Sequence, residues 1–436
     1  MAKKAVYNEE SISQLKGADR VRLRPAVIFG SDGIEGCCHA LFEIVANAID
    51  EFKGGYGDKI IVTSYADLSL EVTDFGRGIP VEFNEKEGRY NWDLLFNEMY
   101  AGGKYDKENS DYAYSLGLNG LGLCATQYAS EYMEVEIYNG KYRYELDFKH
   151  GKPVRPYDEE LIKEEMKHKS GTRIKWRPDL KVFKDIAIPK IFFEETLRKQ
   201  AICNSGLTIV FRWQDRENGR TFETQTYYYE NGIVDYVKEV VGNKPTICDV
   251  QFWSGERRGR DRDDLPEYNV KLNVACCFSN QVQLLEYYHN SSYLEHGGSP
   301  DKAVRNAFVF GIDAYIKQNN KYNKNETRIT FQDVADCLVL VSNSYSTETS
   351  YENQTKKSIM NKFIQDAMTE FLRHQLEVFF IENKPEADKI VEQVLINKRS
   401  REDALAQAET LLKRVKLWDK RDFYPRQLSG GQKQRA

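Results

Sequence analysis

The sequence lacks the marks of a secreted, membrane-spanning or zinc-binding protein. Its 8 cysteines include no C-x-x-C spacing, so we expect reduced thiols in the core and no zinc site. The opening MAKKAVYNEE leads into no apolar signal segment, and no apolar run reaches the length of a membrane span. These absences predict a cytoplasmic chain that makes no use of a membrane.

A strong charge imbalance and a P-loop are also missing. The net charge is −5, so any contact with DNA requires local basic patches rather than a polycationic chain. The pattern GxxxxGK[ST] does not occur, which excludes an ATP site of the Walker type. Two groups could be such patches or ordinary solvated loops: an arginine cluster (Arg257, Arg258, Arg260 and Arg262) and a lysine cluster (Lys317, Lys321 and Lys324).

The sequence does contain a polar stripe within an apolar segment, HALFEIVANAIDEFK at residues 39–53. At helical spacing, His39, Glu43, Asn47 and Asp50 share one face, because residues three or four apart are neighbours on a helix. Glu43 could act as a general base on water, and the amide oxygen of Asn47 suits Mg²⁺, which takes few protein ligands. The alternative is the solvated face of an ordinary helix.

The motif DFGRGIP follows the second of two predicted strands. Asp74, at the strand end, can accept a hydrogen bond from an exocyclic amine, and Gly76 and Gly78 let the backbone approach a flat ring. Arg77 and Pro80 would shape the edge of such a pocket. Taken alone, a glycine-flanked aspartate could equally be an ordinary turn.

A glycine-rich segment, SLGLNGLGLCATQ, precedes a predicted helix that begins near Leu123. Gly117, Gly120 and Gly122 would present backbone N–H groups to phosphates at the start of this helix. Upstream, AGGKYD places Lys104 after two glycines, which suits a lid carrying a phosphate-binding cation. Each element alone is weak support, since glycine runs also form flexible loops.

In this order, the motifs resemble those of the GHKL ATPases. FEIVANAIDE, DFGRGIP, AGGKYD, GLNGLG and GTRIKW look like their successive nucleotide-binding motifs. More narrowly, they are similar to the family of type II topoisomerase B subunits, which includes those of DNA gyrase and topoisomerase IV. The resemblance runs from near Tyr7 to about Glu402 and implies ATP and Mg²⁺ as cofactors.

The resemblance also implies a role for each motif residue. Glu43 would be the general base and Asn47 the Mg²⁺ ligand, with His39 and Asp50 in support. The remaining residues expected at the nucleotide are Asp74, Arg77, Gly78, Pro80, Tyr112 and Thr172 near the adenine, and Lys104, Gly117, Gly120, Leu121, Gly122 and Leu123 near the triphosphate.

Two further segments are similar to parts of the same family. In ENQTKK, Lys356 would sense and stabilise the transferring phosphoryl group, and Gln354 would position that group or the water. The N-terminal arm, with Tyr7 and Ile12, resembles a strap that crosses to the other protomer and closes over its nucleotide, which implies a homodimer. The alternatives are a surface loop and a disordered terminus.

The predicted fold class is α+β. Residues 1–225 would form a GHKL α/β sandwich ATPase domain with the dimerisation arm, and residues 226–402 an S5-like α/β transducer domain with linker helices. The main elements expected are a helix at 39–53, strands at 132–138, 142–148, 171–177 and 247–253, and helices at 300–318, 357–382 and 385–401.

Residues 403–436 resemble a different family. LSGGQKQR, preceded by YPRQ, looks like the signature segment of ABC-transporter ATPases, although no Walker motif accompanies it. A signature segment alone cannot hydrolyse ATP, so we interpret the tail as a foreign or truncated fragment; a genuine fusion is the alternative. No acidic E…DxD cluster follows the linker helices, so we expect the family's metal-binding Toprim region to be missing.

The sequence therefore predicts the ATP-binding and hydrolysing module of a type II topoisomerase of the B-subunit family. ATP would close a dimer and gate the passage of DNA, and strand cleavage would need the family's A subunit as a partner. An ATPase of the mismatch-repair or chaperone type would share the first motifs but not ENQTKK with its linker helix. A histidine kinase would need a phosphoacceptor helix upstream.

Overall fold

A computed structural model of the chain describes residues 14–102, 120–154, 163–165, 169–352, 357–427 and 429. The chain divides into two compact units. Unit 1 contains the residues up to Tyr236 together with residues 288–293 and 343–357. Unit 2 contains residues 237–287, residues 294–342 and the chain from Ser358 onward.

Unit 1 combines a large sheet with helices. Its helices are α1 (Asp19–Arg22), α2 (Pro25–Phe29), α3 (Ile34–Lys53), α4 (Asn91–Asn97), α5 (Gly122–Tyr128) and α6 (Lys190–Cys203). Its strands are β1 (Lys59–Ser64), β2 (Leu70–Asp74), β3 (Phe83–Asn84), β4 (Arg89–Tyr90), β5 (Ser130–Asn139), β6 (Tyr142–Lys149), β7 (Lys152–Pro153), β8 (Lys163–Glu165), β9 (Ser170–Pro178), β10 (Thr208–Gln214) and β11 (Phe222–Tyr227).

The sheet of unit 1 is mixed. Its strand order is β11-β10-β1-β2-β9-β5-β6-β7, with β8 paired to β6, and β1 runs parallel to β10 but antiparallel to β2. Along β9, Ile174 and Trp176 are buried, whereas Arg173 is half-exposed and pairs with Glu71 of β2 at 2.8 Å. This alternation gives the sheet one apolar face for helices, because side chains alternate between the two faces of a strand.

Helix α3 lies on this sheet and contacts β1, β2 and α5. Its apolar side chains are buried, including Leu41, Ile44, Val45 and Ile49. The helix ends at Lys53, as expected, but it begins at Ile34 rather than at residue 39. The GIEGCC segment lacks the apolar periodicity that marks the rest of the helix, so the first turn was missed.

Unit 2 is built on a second sheet. The chain enters it through α7 (Ile233–Val241), and the further helices are α8 (Ser299–Gln318), α9 (Phe331–Ala335), α10 (Lys362–Glu382) and α11 (Lys384–Arg414). The strands are β12 (Gln251–Gly259), β13 (Tyr268–Phe278), β14 (Leu284–His289), β15 (Ser292–Tyr293) and β16 (Leu338–Ser346), in the order β12-β13-β16-β14-β15. Residues 288–293 and 343–346 of these strands are counted with unit 1.

Helix α10 packs closely on β12. A Cβ atom on Gly255 would lie 2.8 Å from the ring of Phe371, and one on Gly259 would lie 2.4 Å from the ring of Phe363. The helix begins at Lys362 and not at residue 357, because Asp261 accepts hydrogen bonds from the Asn361 side chain and from the Phe363 N–H group, both at 2.8 Å. These contacts fix the start of the helix.

Two other elements differ from their expected bounds. The strand expected at 247–253 is β12 at Gln251–Gly259. The helix expected at 385–401 continues without a break to Arg414. Within the described ranges, no helix is both long enough and apolar enough to span a membrane.

Candidate functional site

Glu43 lies on the half-exposed side of α3 and contacts His39. The His39 Nε2 atom is 3.2 Å from Glu43 Oε1, and its Nδ1 atom is 3.2 Å from the carbonyl oxygen of Phe29. A carbonyl oxygen only accepts, so Nδ1 carries a hydrogen when both bonds form. The second bond then requires a proton between Nε2 and the carboxylate. The pair therefore holds the carboxylate in place while leaving it 22% exposed.

The start of α5 lies directly against Glu43. A Cβ atom on Gly122, the first residue of α5, would lie 2.1 Å from Glu43 Oε2 and 2.7 Å from Glu43 Cβ. Only glycine permits this approach, since real Cβ atoms do not come that close to other atoms. The glycine motif therefore brings backbone N–H groups at a helix N-terminus beside the predicted base.

The polar stripe of α3 continues from Glu43 to Asn47. The Asn47 side chain is half-exposed and makes no hydrogen bond to any other residue in the described part of the chain. Asp50 is fully buried, whereas Glu51 reaches the DFGRG turn. The described residues contain no group of three or more His, Cys, Asp or Glu side chains that could hold a metal. A metal at this site would therefore rely on Asn47 and water, which fits Mg²⁺.

Asp74 ends β2 and is held by backbone N–H groups. Its Oδ1 atom accepts from Gly76 N at 2.9 Å and from Thr172 N at 3.2 Å. The Thr172 hydroxyl oxygen accepts in turn from Ile79 N at 3.3 Å. In the described part of the chain, Oδ2 makes no hydrogen bond, so it is left to accept one from a ligand.

The environment of Asp74 disfavours its charge. Burial raises the pKa of Asp74 to about 6, and the nearby Glu51 carboxylate acts in the same direction. The hydrogen bonds from Gly76 and Thr172 act in the opposite direction but do not cancel the effect of burial. The carboxylate is therefore ionised near neutral pH and is readily protonated below it.

Arg77 is fixed by Glu51 at the edge of the site. Its Nε atom donates to Glu51 Oε2 and a terminal nitrogen donates to Oε1, both at 3.1 Å, and the Arg77 N–H group also donates to Oε2 at 3.3 Å. Its guanidinium carbon lies 3.9 Å from the centroid of the Tyr56 ring. This stacking and the two-point ion pair leave Arg77 little freedom.

Two glycines bring β-sheet backbone close to the DFGRG turn. Gly78 has φ +84°, and a Cβ atom there would lie 2.4 Å from the carbonyl oxygen of Tyr138. Gly171 has φ +127°, and a Cβ atom there would lie 2.2 Å from the carbonyl oxygen of Asp74. Both positions therefore require glycine, because there is no space for a Cβ atom and because the backbone has a positive φ that other residues rarely adopt. Pro80 is exposed just beyond.

Several predicted site residues lie outside the described residues. Tyr100 N donates to Gly120 O at 2.9 Å, so the two ends of the segment between them are joined. Gly120, Leu121 and Leu123 are half-buried at the start of α5. The predicted residues not described are Tyr7, Ile12, Lys104, Tyr112, Gly117, Gln354 and Lys356.

Acidic residues neutralise most of the arginine cluster. Arg258 and Arg260 share Glu267, at 3.2 and 2.8 Å, and Arg262 pairs with Asp264 at 2.6 Å. Arg257 makes no ion pair with a described acidic residue.

Two members of the lysine cluster are also paired, Lys317 with Asp313 at 2.6 Å and Lys321 with Asp388 at 2.7 Å. Both clusters therefore carry less free positive charge than their sequences suggest.

Glu51 was not predicted from the sequence, although a signal for it was present. His39, Glu43, Asn47 and Glu51 follow each other at steps of four residues, which keeps them on one helix face. Asp50 belongs to the buried side. Tyr56 had no comparable signal, because its contact with Arg77 joins segments that are apart in sequence. Gly171 begins the GTRIKW motif, but that motif gave no sign of its close approach to Asp74.

Two family comparisons match successive parts of the chain. Residues 33–182 match the family described as "Histidine kinase-, DNA gyrase B-, and HSP90-like ATPase". Residues 232–410 match the family described as "DNA gyrase B". The first match contains Glu43, Asn47, Asp74 and Gly122.

Individual relatives agree with these matches. The chain is 32% identical to the B subunit of DNA gyrase from Thermotoga maritima, over 91% of the chain and 60% of that protein. It is 30% identical to the B subunit of DNA gyrase from Chlamydia pneumoniae, over 94% of the chain and 50% of that protein. The chain thus spans only part of the length of these relatives.

Solved structures show the same fold. The topoisomerase IV ATP-binding domain of Francisella tularensis, solved with a small-molecule inhibitor, is 25% identical, with a TM-score of 0.66 over 88% of this chain and 98% of that one. The 43K ATPase domain of Thermus thermophilus gyrase B, solved with an aminocoumarin, has a TM-score of 0.67 over 91% of this chain and 98% of that one, at 23% identity. The predicted α+β fold class is confirmed.

Proposed function

We propose that the chain binds and hydrolyses ATP as the B-type ATPase component of a type II DNA topoisomerase, with a GHKL ATPase domain followed by a DNA gyrase B transducer domain. The observation that carries this proposal is the pair of carboxylates in unit 1. Glu43 is half-exposed beside the N-terminus of α5, and Asp74 is held at the end of β2 with one oxygen left to accept.

Glu43 is the proposed general base. Its accessible carboxylate can take a proton from water, and the bond to His39 orients it. The backbone at Gly122 stands beside it, where N–H groups at the start of α5 would meet the phosphates. Leu121, Leu123 and Gly120 would contribute through their backbone, so their side chains would matter little.

Asp74 is the proposed acceptor for the adenine amino group. Gly76 and Thr172 fix one of its oxygens, so the free oxygen has a defined direction. Gly78 would let the ring approach the backbone, and Arg77, held by Glu51, would border the pocket with Pro80. Such recognition is specific, because a base without this amino group would leave the second oxygen of Asp74 without a hydrogen bond from the ligand.

Asn47 is the proposed Mg²⁺ ligand. Its side chain fits the role, because an amide oxygen suits Mg²⁺ and the side chain has no other described partner. Mg²⁺ would neutralise charge on the phosphates during transfer. Asp50, buried one turn further along α3, would support the helix rather than meet the metal.

Other parts of the proposal follow from family resemblance. Lys104, Tyr112 and Gly117 would close over the nucleotide, and Gln354 and Lys356 would reach its γ-phosphate. Through Tyr7 and Ile12, the N-terminal arm would join two protomers. ATP-driven dimerisation would then gate DNA passage in the cytoplasm, together with a cleavage subunit of the A type.

We also propose the domain limits expected from the sequence. The ATPase domain would occupy residues 1–225 and the transducer with its linker helices residues 226–402. The resemblance of residues 403–436 to an ABC signature segment stays a prediction, because within LSGGQKQR only Ser429 is described. The gyrase B match extends to residue 410 and α11 to Arg414.

ATP turnover by three purified proteins tests the proposal. We expect Glu43→Ala to lower turnover by about 10²- to 10⁴-fold, the usual contribution of a general base. Lys356→Ala should also lower turnover, since it removes a positive charge that would stabilise the phosphoryl group in the transition state. Normal hydrolysis by Glu43→Ala would refute the ATPase assignment, whereas an unchanged rate with Lys356→Ala would remove only the role of that lysine.

Glu35→Gln is a matched control for Glu43→Ala. Glu35 is an exposed carboxylate in the first turn of the same helix, and its only described hydrogen bond comes from Ser31, at 3.3 Å. We expect its turnover to stay within about twofold of the wild-type rate, as for most surface substitutions.

A further inference from the structure

A buried histidine lies at the centre of a hydrogen-bonded cluster in unit 1. His289, at the end of β14, is 0% exposed. Its Nδ1 atom is 2.8 Å from Ser344 Oγ, and its Nε2 atom is 3.0 Å from both Ser346 Oγ and Thr349 Oγ1. All three partners belong to the end of β16 and the turn after it. Both ring nitrogens are therefore satisfied by hydroxyl groups of one short segment.

The neighbouring Asn290 binds the same segment. Ser346 N donates to Asn290 Oδ1 at 3.0 Å, and Asn290 Nδ2 donates to Ser346 O and to Thr349 Oγ1, both at 3.1 Å. Asn290 has φ +46°, which places it in the left-handed turn between β14 and β15. We call His289, Asn290, Ser344, Ser346 and Thr349 the hydroxyl cluster.

The directions of these hydrogen bonds can be assigned. Ser344 donates to Tyr288 O, and Ser346 donates to Glu348 O at 2.6 Å. Ser344 therefore accepts from His289 Nδ1–H, which leaves Nε2 as an acceptor. Thr349 is then the hydroxyl that can donate to Nε2, because the Ser346 hydrogen is already used; Ser346 Oγ, 3.1 Å from Thr349 Oγ1, is the other acceptor for the same hydrogen.

The imidazole in this cluster is neutral. Burial, together with the positive charge of Lys53, lowers the pKa of His289 to about 3. A neutral ring donates one hydrogen bond and accepts another, which matches the assigned pattern. Thr349 thus supplies a bond that no other described hydroxyl in the cluster can supply.

Two helices of the ATPase domain contact the same segment from other directions. The carbonyl oxygen of Cys203, at the end of α6, accepts from Asn343 Nδ2 at 3.0 Å and from the Tyr345 hydroxyl at 2.9 Å. Lys53, the last residue of α3, places its amino group 5.5 Å from the centroid of the Tyr345 ring. Residues 343–349 are therefore fixed relative to α6 and to the helix that carries Glu43.

We infer that the hydroxyl cluster positions residues 343–349 for catalysis, so that the chain leading from Thr349 to Lys356 starts from a fixed point relative to Glu43. This inference rests on the proposed function, because it assumes that Lys356 acts on the nucleotide. The five members of the cluster are positioning residues, since none of them would touch the nucleotide.

A stabilising role alone does not require this arrangement. Apolar side chains of similar size usually stabilise a core at least as well as a buried polar network, which must satisfy every donor and acceptor. A polar network does fix one geometry, because its bonds are directional. Thr349 also stands at the half-buried edge of the cluster, where packing contributes less.

Thr349→Val and Thr349→Ser form the test pair. Valine keeps the shape of threonine but removes the donor to His289 Nε2, whereas serine keeps the hydroxyl. We expect Thr349→Val to lower kcat for ATP by about fivefold to tenfold, the effect of losing one buried hydrogen bond, with KM changed less than about twofold. Thr349→Ser should restore most of the lost rate.

A double-mutant cycle with Lys356→Ala separates positioning from general destabilisation. If the cluster acts through Lys356, Thr349→Val should change kcat by less than about twofold in the Lys356→Ala background. The same fivefold to tenfold loss in both backgrounds would overturn the inference. So would an unchanged kcat for Thr349→Val in the otherwise wild-type chain.

Glu43→Ala, measured in the same assay, distinguishes a failure of the positioning role from a failure of the proposed function. Turnover that depends on Glu43 but not on Thr349 keeps the proposed function and refutes the hydroxyl cluster's role. If ATP turnover by the wild-type chain does not depend on Glu43, both the proposed function and the role of the hydroxyl cluster are contradicted. A thermal unfolding curve for each variant establishes that the loss of kcat comes from folded protein.

Discussion

The two carboxylates of the candidate site are held in different ways. Glu43 is 22% exposed, lies in the middle of a helix and is bound by the side chain of His39. Asp74 is half-buried at a strand end, with one oxygen held by two backbone N–H groups, and its pKa is raised to about 6. A base must reach water and exchange protons, whereas a recognition group gains from a fixed direction. The difference suggests that the site separates chemistry from recognition.

Apart from substitutions of Glu43 itself, the largest effect is expected where the backbone meets Glu43. In Gly122→Ala the new Cβ would lie 2.1 Å from Glu43 Oε2, so the carboxylate or the start of α5 must move. A displacement of about 1 Å in a reacting group costs on the order of 10²-fold in rate, and steady-state ATP turnover would show it.

Gly54→Ala is the control for that variant. Gly54 caps the C-terminal end of α3, has negative φ, and a Cβ there would meet its neighbours at ordinary distances of 3.4 Å and beyond. Turnover by Gly54→Ala near the wild-type rate would show that the loss belongs to the contact with Glu43. Normal turnover by Gly122→Ala would contradict this geometry.

Asp74→Asn tests the proposed recognition role of the second carboxylate. Its amide oxygen can still accept from Gly76 and Thr172, but its NH₂ group would face the adenine amino group as a second donor. We expect ATP affinity, measured by calorimetry, to fall by about 30- to 100-fold, since a hydrogen bond to a charged group is worth about 2–3 kcal/mol. Unchanged affinity would exclude Asp74 as the acceptor.

The same substitution should stabilise the unliganded chain. The pKa of Asp74 in the folded chain, about 6, lies above the ordinary 3.8, so the protonated form favours folding. That stabilisation is complete below about pH 4 and is lost as pH rises through about 6. At pH 7.5, Asp74→Asn should therefore raise the free energy of unfolding by about 1–3 kcal/mol in denaturant titrations. The gain should vanish near pH 4.

ATP affinity should depend on pH through the same group. Protonation turns the free oxygen of Asp74 into a donor, so only the ionised fraction can accept from adenine. With a pKa of about 6, affinity at pH 5 should be about tenfold weaker than at pH 7. The Asp74→Asn variant should lose this dependence; a persisting midpoint near 6 would assign it to another group.

The smallest effect concerns DNA. If the arginine cluster meets phosphates, Arg257→Gln should reduce the slope of log affinity against log salt by about 1, since Arg257 has no acidic partner in the described part of the chain. Arg262→Gln is the control, because Asp264 already neutralises that charge at 2.6 Å. Equal changes in this slope for the two variants would show that ion pairs with acidic neighbours do not decide which arginine contributes to DNA binding.

The sequence was sufficient for the residues whose chemistry is local. Asp74 and its glycines form one short motif, and His39, Glu43 and Asn47 follow helical spacing, so their neighbourhood could be predicted. The order of strands could not, because β1 pairs with β10 across a long stretch of chain. His289 had no signal either: its partners lie more than 50 residues away, and no spacing rule connects them.

The division of roles between the two carboxylates is tested most directly by measuring nucleotide binding and ATP turnover side by side for Glu43→Gln and Asp74→Asn. Glu43→Gln should bind ATP with near wild-type affinity and lose turnover, whereas Asp74→Asn should lose affinity and recover turnover at high ATP concentration. If Glu43→Gln hydrolyses ATP normally, or if both variants lose binding and turnover to the same extent, the two carboxylates do not divide chemistry from recognition.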